Sequence, residues 1–162
     1  MSAPPRLLTA LGLFLISSVP AYSATIRVPA DQPTIQAGIN AAAFAGDTVL
    51  VASGTYTGLG NKNIDFQGKS LLLRSEAGRD STIIDCEGVG RGFYFQAGED
   101  SSTVVDGFTI TNGYINHANY GGDNGGGAAM YGGTIQNCIV IGNRATGSSG
   151  DARGYGGGGI GL

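Results

Sequence analysis

The sequence predicts an all-β chain built as a solenoid: short parallel strands stacked coil upon coil, with one short helix at the N-terminal end. Three observations predict it. Short β-branched or apolar runs recur along the chain, most of them bounded by Gly, Asn, Asp or Ser. Two of these runs repeat at a spacing of roughly 20 to 30 residues, the size of one solenoid coil. A helical period appears once, near the start, and not again, which argues against alternating βαβ order.

The helix follows Pro29. Asp31 or Thr34 can serve as its N-cap, and Pro33 suits a first turn. Ile35, Ile39 and Ala42 or Ala43 then fall on one face, and Gly46 is a natural stop. A single apolar stripe must lie against something, and the open edge of a first coil is the surface that needs covering. Beyond Gly46 the period changes. Thr48–Val51, Ile64–Phe66, Ser70–Leu73, Thr82–Asp85, Phe93–Phe95, Val104–Val105, Phe108–Ile110, Ala128–Met130 and Ile139–Ile141 read as strands, and Gly54–Gly58 as a turn-rich stretch. Glycine, 30 of 162 residues against a usual ~7 %, supplies the corners.

The repeats set an expected register. Thr82–Cys86, Thr103–Gly107 and Thr134–Cys138 each read Thr, β-branched, any, Asp or Asn, small, with starts 21 and then 31 residues apart. This alignment places Phe108 and Ile110 over Ile139 and Ile141, and Asn112 over Asn143 in a corner stack. A second strand type follows glycine at Gly92–Phe95, Gly127–Met130 and Gly159–Leu162. The longer repeat is expected to bulge outwards at Tyr114–Gly125 and Thr146–Gly158. Cys86, Gly107 and Cys138 would share one ladder, which separates the cysteines by ~9.6 Å, beyond the ~7 Å that a disulfide can bridge. Free, buried thiols are therefore expected.

The start of the chain has the pattern of a secretory signal over residues 1–23. Arg6 is followed by a mostly apolar stretch of 13 residues, Leu7 to Val19, then Pro20 and the small residues Ala21 and Ser23. Cleavage is expected before Ala24, and the apolar stretch is too short to span ~30 Å of hydrocarbon. Residues 24–162 then form the N-terminal part of a β-helix domain, incomplete at its C-terminus, secreted or held at the cell surface. This portion carries eight basic and twelve acidic residues, a net charge of −4. With no basic cluster, nucleic acid and anionic lipid are poor partners. Export would permit a disulfide, but two cysteines make no disulfide scaffold.

Several segments together resemble a known group: Val28–Gln36, Gly46–Val49, Gly54–Tyr56, Gly68–Leu71, Thr82–Asp85, Asp106–Gly113 and the Gly-Gly-Gly corners. They are similar to the N-terminal cap and first coils of secreted bacterial right-handed parallel β-helix proteins of the pectin-lyase-like superfamily. The resemblance covers nearly all of the chain after residue 23. It implies a right-handed parallel β-helix with a short N-terminal capping α-helix. It implies less about activity, because members include polysaccharide lyases and hydrolases as well as large surface proteins without known activity.

The residues that would carry chemistry are sparse. The Asn-Thr-Asp, Asp-Asp and Gly-His-Gly motifs of polygalacturonases are absent. Asp85 and Asp106, in one ladder by the alignment above, are the best carboxylate pair on offer. An Asp/Asn corner stack running on to Asn137 accounts for them better, since Asp bonds its own turn. Glu99-Asp100 reads as a solvated turn. His117, the single histidine, has Asp123 as its nearest acid by sequence, and reads as an exposed loop residue. Tyr114, Tyr120 and Tyr155 lie in the two long corners, where aromatic rings can lie against sugar rings or shield the glycines. Gly121–Gly127 fails the nonapeptide pattern of Ca²⁺-binding repeats and reads as a flexible corner, so no cofactor is expected. Gly90-Arg91-Gly92 lacks the strand-to-helix setting of a nucleotide site. The expectation is a monomeric structural or carbohydrate-contacting module, with polysaccharide or surface glycan as partner. Tyr114, His117, Tyr120, Asp123 and Tyr155 are its candidate contacts. The alternative is a polysaccharide lyase or glycoside hydrolase whose active site lies in further C-terminal coils.

Overall fold

A computed structural model describes residues 22–43, 45–116, 125–146 and 158–161. The signal-like residues 1–21 lie outside them, as do the long-corner segments 117–124 and 147–157. The chain opens with β1 (Thr25–Val28) and α1 (Ile35–Ala41). Next come β2 (Thr48–Val51), β3 (Gly54–Tyr56) and β4 (Ile64–Asp65), then β5 (Leu72–Ser75), β6 (Thr82–Asp85) and β7 (Phe93–Phe95). They are followed by β8 (Val104–Asp106), β9 (Thr109–Thr111), β10 (Tyr114–Asn116) and β11 (Ala128–Met130). The last are β12 (Thr134–Gln136), β13 (Ile139–Ile141), β14 (Arg144–Thr146) and β15 (Ile160–Gly161).

Every strand pairs in parallel with its equivalent one coil away. One sheet runs β1-β2-β5-β8-β12, a second β3-β6-β9-β13, a third β4-β7-β11-β15, and β10 pairs β14. The protein is thus all-β, with stacked parallel sheets and one short helix, an arrangement consistent with a parallel β-solenoid. From β2 to β5, β8 and β12 the register advances 24, 32 and 30 residues. Among the described residues, no helix is long and apolar enough to cross a membrane.

The glycine-led strands stack as the sequence predicts, Phe93 over Ala128 and Ala128 over Ile160. The Thr-β-branched alignment does not hold. β6 joins the sheet of β3 and β9, whereas β8 and β12 join that of β5. β6 ends at a tight corner where Asp85 accepts from Glu87 N–H at 2.8 Å, and β8 ends on Asp106 at another, where it accepts from the Asn137 side chain at 2.8 Å. The motif marks a corner rather than one particular sheet.

The 31-residue offset is also one residue too long. Ile135 lies beside Val105 and Val140 beside Ile110, an offset of 30. Side chains alternate faces along a strand, so a slip of one would exchange inside for outside. Ile110 is 1 % exposed and Ile141, expected over it, is 60 % exposed. Asn143 therefore sits beside Gly113 rather than Asn112. It accepts from Gly113 N–H at 2.7 Å and donates to the Ile110 carbonyl at 2.9 Å.

The helix begins at Thr34, whose hydroxyl accepts from Ala37 N–H at 3.2 Å. Asp31 accepts instead from Arg27 N–H at 2.7 Å, and Pro33 precedes the cap. Ile35, Ile39 and Ala42 are buried in the core with Val28 and Val49. The helix ends at Ala41, well before the expected stop at Gly46. Lys69 explains this end, because its ammonium donates to the carbonyls of Ile39, Asn40 and Ala42 at 2.7, 3.2 and 2.8 Å. A cation on the last carbonyls replaces a glycine cap.

The helix also closes an edge. β4 is the outermost strand of its sheet. The Gln36 side chain donates to the Asp65 carbonyl and accepts from Asp65 N–H, both at 2.9 Å. Its amide thus takes the place of a neighbouring strand's peptide group. Loss of the pair leaves two partly buried backbone groups dependent on water. Gln36→Ala is expected to lower unfolding stability by about 1–3 kcal/mol, read as a lower denaturation midpoint in urea with an unchanged slope.

Candidate functional site

Of the five expected contact residues, His117, Tyr120, Asp123 and Tyr155 lie outside the described residues. Tyr114 opens β10, half-buried, in register with Arg144 of β14. The Arg144 guanidinium carbon lies 6.0 Å from the ring centroid, and the Thr146 hydroxyl donates to the Tyr114 hydroxyl at 3.3 Å. Backbone bonds to Gly90, 2.7 and 3.0 Å long, fix the strand from the coil below. The long corner thus begins as ordered β-structure that seats an aromatic ring beside a cation.

The glycines at the far end of that corner are not a flexible stretch. Gly125, Gly126 and Gly127 are buried. Gly127 N–H bonds the carbonyls of Gly158 and Gly159 at 3.1 and 2.8 Å, and its own carbonyl accepts from Gly92 N–H at 2.8 Å. A Cβ on Gly126 would come within 2.6 Å of the Arg144 carbonyl oxygen. Glycine here permits close approach of successive coils.

Asp85 and Asp106 are not a carboxylate pair, for they belong to different sheets. Each is bonded to an asparagine one coil on. Asn112 donates to Asp85 at 3.0 Å and Asn137 to Asp106 at 2.8 Å. The expected Asp/Asn stacking is present, divided between two corners. Glu99 is no solvated turn residue either. It is 6 % exposed and accepts from Gly68 and Ala97 N–H at 2.9 and 2.8 Å. Asp100 is exposed, and its bonds from the Ser102 hydroxyl and N–H hold its carboxyl below the usual range.

The cysteines are free, but the shared ladder is not the reason. Cys86 follows β6, with its N–H on the Thr111 carbonyl at 2.9 Å. Cys138 precedes β13, and its sulfur accepts from Phe108 N–H at 3.3 Å. They stand at different corners. Cys86 is buried and Cys138 half-buried. Burial, with Asp85 and then Glu87 nearby, pushes the Cys86 thiol up to about 12, and burial raises Cys138. The thiolate is the nucleophile. A thiol reagent at pH 8 is therefore expected to label the native protein slowly, Cys138 ahead of Cys86, and to label two thiols at once after unfolding. Instant labelling of Cys86 in the native state would contradict its place in the core.

Glu87 links adjacent coils from the surface. It accepts from the Lys62 ammonium at 2.7 Å and from Gly58 N–H at 2.8 Å. These bonds, that of Lys62 first, lower its carboxyl below the ordinary 4.5. A carboxyl depressed in the folded state stabilises above its unfolded value, and that contribution is lost as pH falls through the folded value. The acid limb of stability against pH, below about pH 4.5, is therefore expected to be shallower in Glu87→Gln than in the parent. Thermal melts over pH 2–6 read the difference.

A cleft opens on the outer surface. Residues 76–81 form a loop between β5 and β6, while the equivalent turns after β8 and β12 take two residues each, Gly107-Phe108 and Asn137-Cys138. The loop overhangs these two turns and leaves an open cleft of about 390 Å³ lined by Arg74, Glu76, Arg79, Asp80, Asp106 and Asn137. Arg74 and Asp106 are register neighbours, with Nε and Oδ2 3.8 Å apart. Sequence reading missed the cleft because it assigned Asp106 to the ladder of Asp85, and so left Arg74 unplaced. No grouping of three or more metal-ligating side chains occurs among the described residues. Comparison with family models, curated proteins and solved structures finds no match to this chain.

Proposed function

We propose that this chain forms an exported right-handed parallel β-helix of the pectin-lyase-like kind, a structural or carbohydrate-contacting surface module without catalysis of its own. The observation that carries the glycan reading is the seating of Tyr114, a half-buried ring at the mouth of the long corner, flanked by Arg144 and Thr146. Such a ring offers an apolar face to a sugar, with hydrogen-bonding groups at its margin. Right-handed winding follows from the strong preference of parallel crossovers for that hand. The apolar stretch Leu7–Val19, followed by Ala21 and Ser23, supports export.

Retention on immobilised polysaccharides, compared between the parent and Tyr114→Ala, tests the glycan reading. The parent is expected to be retarded by at least one polymer and the variant to be retarded less. Equal mobility of both on every polymer would remove the reading. Polygalacturonate incubated with the protein, with and without Ca²⁺, is expected to remain intact. Turnover that disappears in His117→Ala or Asp106→Asn would make the chain an enzyme instead.

A further inference from the structure

We infer that the cleft beneath the 76–81 loop binds an uncharged, hydroxyl-rich ligand, one or two rings of a neutral glycan. The inference rests on the glycan reading above and adds a second place of contact, away from Tyr114. The first argument is form. A volume of about 390 Å³ lies within the range of small-molecule sites and suits a short sugar segment.

The second argument is rigidity. The loop is tied at both ends. The Ser75 hydroxyl accepts from Gly78 N–H at 2.8 Å and shares a 2.7 Å bond with the Thr82 hydroxyl. The Thr109 hydroxyl donates to the Arg79 carbonyl at 2.9 Å. Beneath the loop, Asp106 is held by Asn137 at 2.8 Å. Gly107 turns the chain there at φ +85°, a conformation that favours glycine. A cleft fixed before the ligand arrives loses little entropy on binding.

The third argument is charge. The residues that line the cleft include two bases, Arg74 and Arg79, and three acids, Glu76, Asp80 and Asp106. Such a lining presents no field of one sign to a polyanion or a polycation. A hydroxyl suits it, because one O–H donates to a carboxylate while its oxygen accepts from a guanidinium. Arg74 and Asp106 illustrate the fit. Their 3.8 Å separation exceeds a direct charge-assisted bond of about 2.7–2.9 Å. A ligand hydroxyl beside the pair can bond to both. The Arg74 side chain is 59 % exposed and meets the ligand without rearranging the core.

Isothermal titration tests the inference with short β-1,4-linked gluco-, xylo- and manno-oligosaccharides as neutral probes. Oligogalacturonate serves as the anionic probe and chitosan oligomers as the cationic one. At least one neutral probe is expected to bind more tightly than either charged one. Arg74→Ala and Arg79→Ala, both surface changes, are each expected to weaken that binding tenfold or more with an unchanged melting temperature. Tyr114→Ala is expected to leave it within twofold. Tighter binding of a charged probe, or neutral binding indifferent to both arginine variants, overturns the inference. So does no binding of any short neutral probe, and the glycan reading is then judged on polymer retention and Tyr114→Ala alone.

Discussion

Phe93→Ala is expected to lower unfolding stability by about 3–5 kcal/mol. Phe93 is fully buried at the middle of the core. Its ring meets Phe66 at 6.0 Å, Phe95 at 6.4 Å and Phe108 edge-on at 6.4 Å, while Phe66 and Phe95 stack at 4.7 Å. Truncation removes the apolar area of one ring and its contacts with three neighbouring rings. The cavity cannot collapse easily, because Phe93 lies on β7, held on both sides by β4 and β11. Chemical denaturation followed by far-ultraviolet circular dichroism gives the number. A loss below about 1 kcal/mol would mean that the aromatic stack is not the centre of the core.

Gly113→Ala is expected to cost about 3 kcal/mol, the upper end for overpacking. Gly113 has no unusual φ, so the effect is purely steric. A Cβ there would run into the Gly126 carbonyl and stand 2.8 Å from Asn143 Oδ1, which already accepts from Gly113 N–H. The obstacle is backbone, which cannot swing aside as a side chain can. Gly58→Ala is the control. Gly58 has φ +75° and open space about it, so only conformational strain of about 1–2 kcal/mol applies. Equal losses in the two variants would show that close packing of coils at the glycine corner is not what selects glycine at position 113.

The fold class was legible in the sequence because strand length, corner residues and coil spacing are local properties. The glycine-led strands even revealed their register, since Gly92, Gly127 and Gly159 each precede the strand and align Phe93 with Ala128 and Ile160. The Thr-β-branched strands did not. Thr82–Asp85 and Val104–Asp106 share an acid-ended pattern imposed by any tight corner, and nothing local says which sheet a corner serves. The 30-residue offset was missed for a related reason. Ile139-Val140-Ile141 is apolar throughout, and only its neighbours decide that Val140 points inward.

The candidate sites divide in the same way. Tyr114 could be singled out as an aromatic residue in a long glycine-rich corner, but its pairing with Arg144 lies 30 residues away and depends on the register. The cleft was invisible, because Arg74, Arg79 and Asp106 meet only through parallel stacking and an overhanging loop. Glu99 was misread because its burial follows from amide groups of Gly68 and Ala97 that local polarity does not reveal.

By itself, the sequence determined that this protein is all-β, coiled in short parallel strands, closed by a helix at one end and cornered by glycine. These follow from side-chain period and backbone permissiveness, which act within a few residues. Only the tertiary structure decided which strands share a sheet, why the two thiols stay apart, how Gln36 and Lys69 seat the helix, and where charged groups from successive coils meet. Those depend on the stacking register, and register is set by the burial of a whole face at once rather than by any one coil.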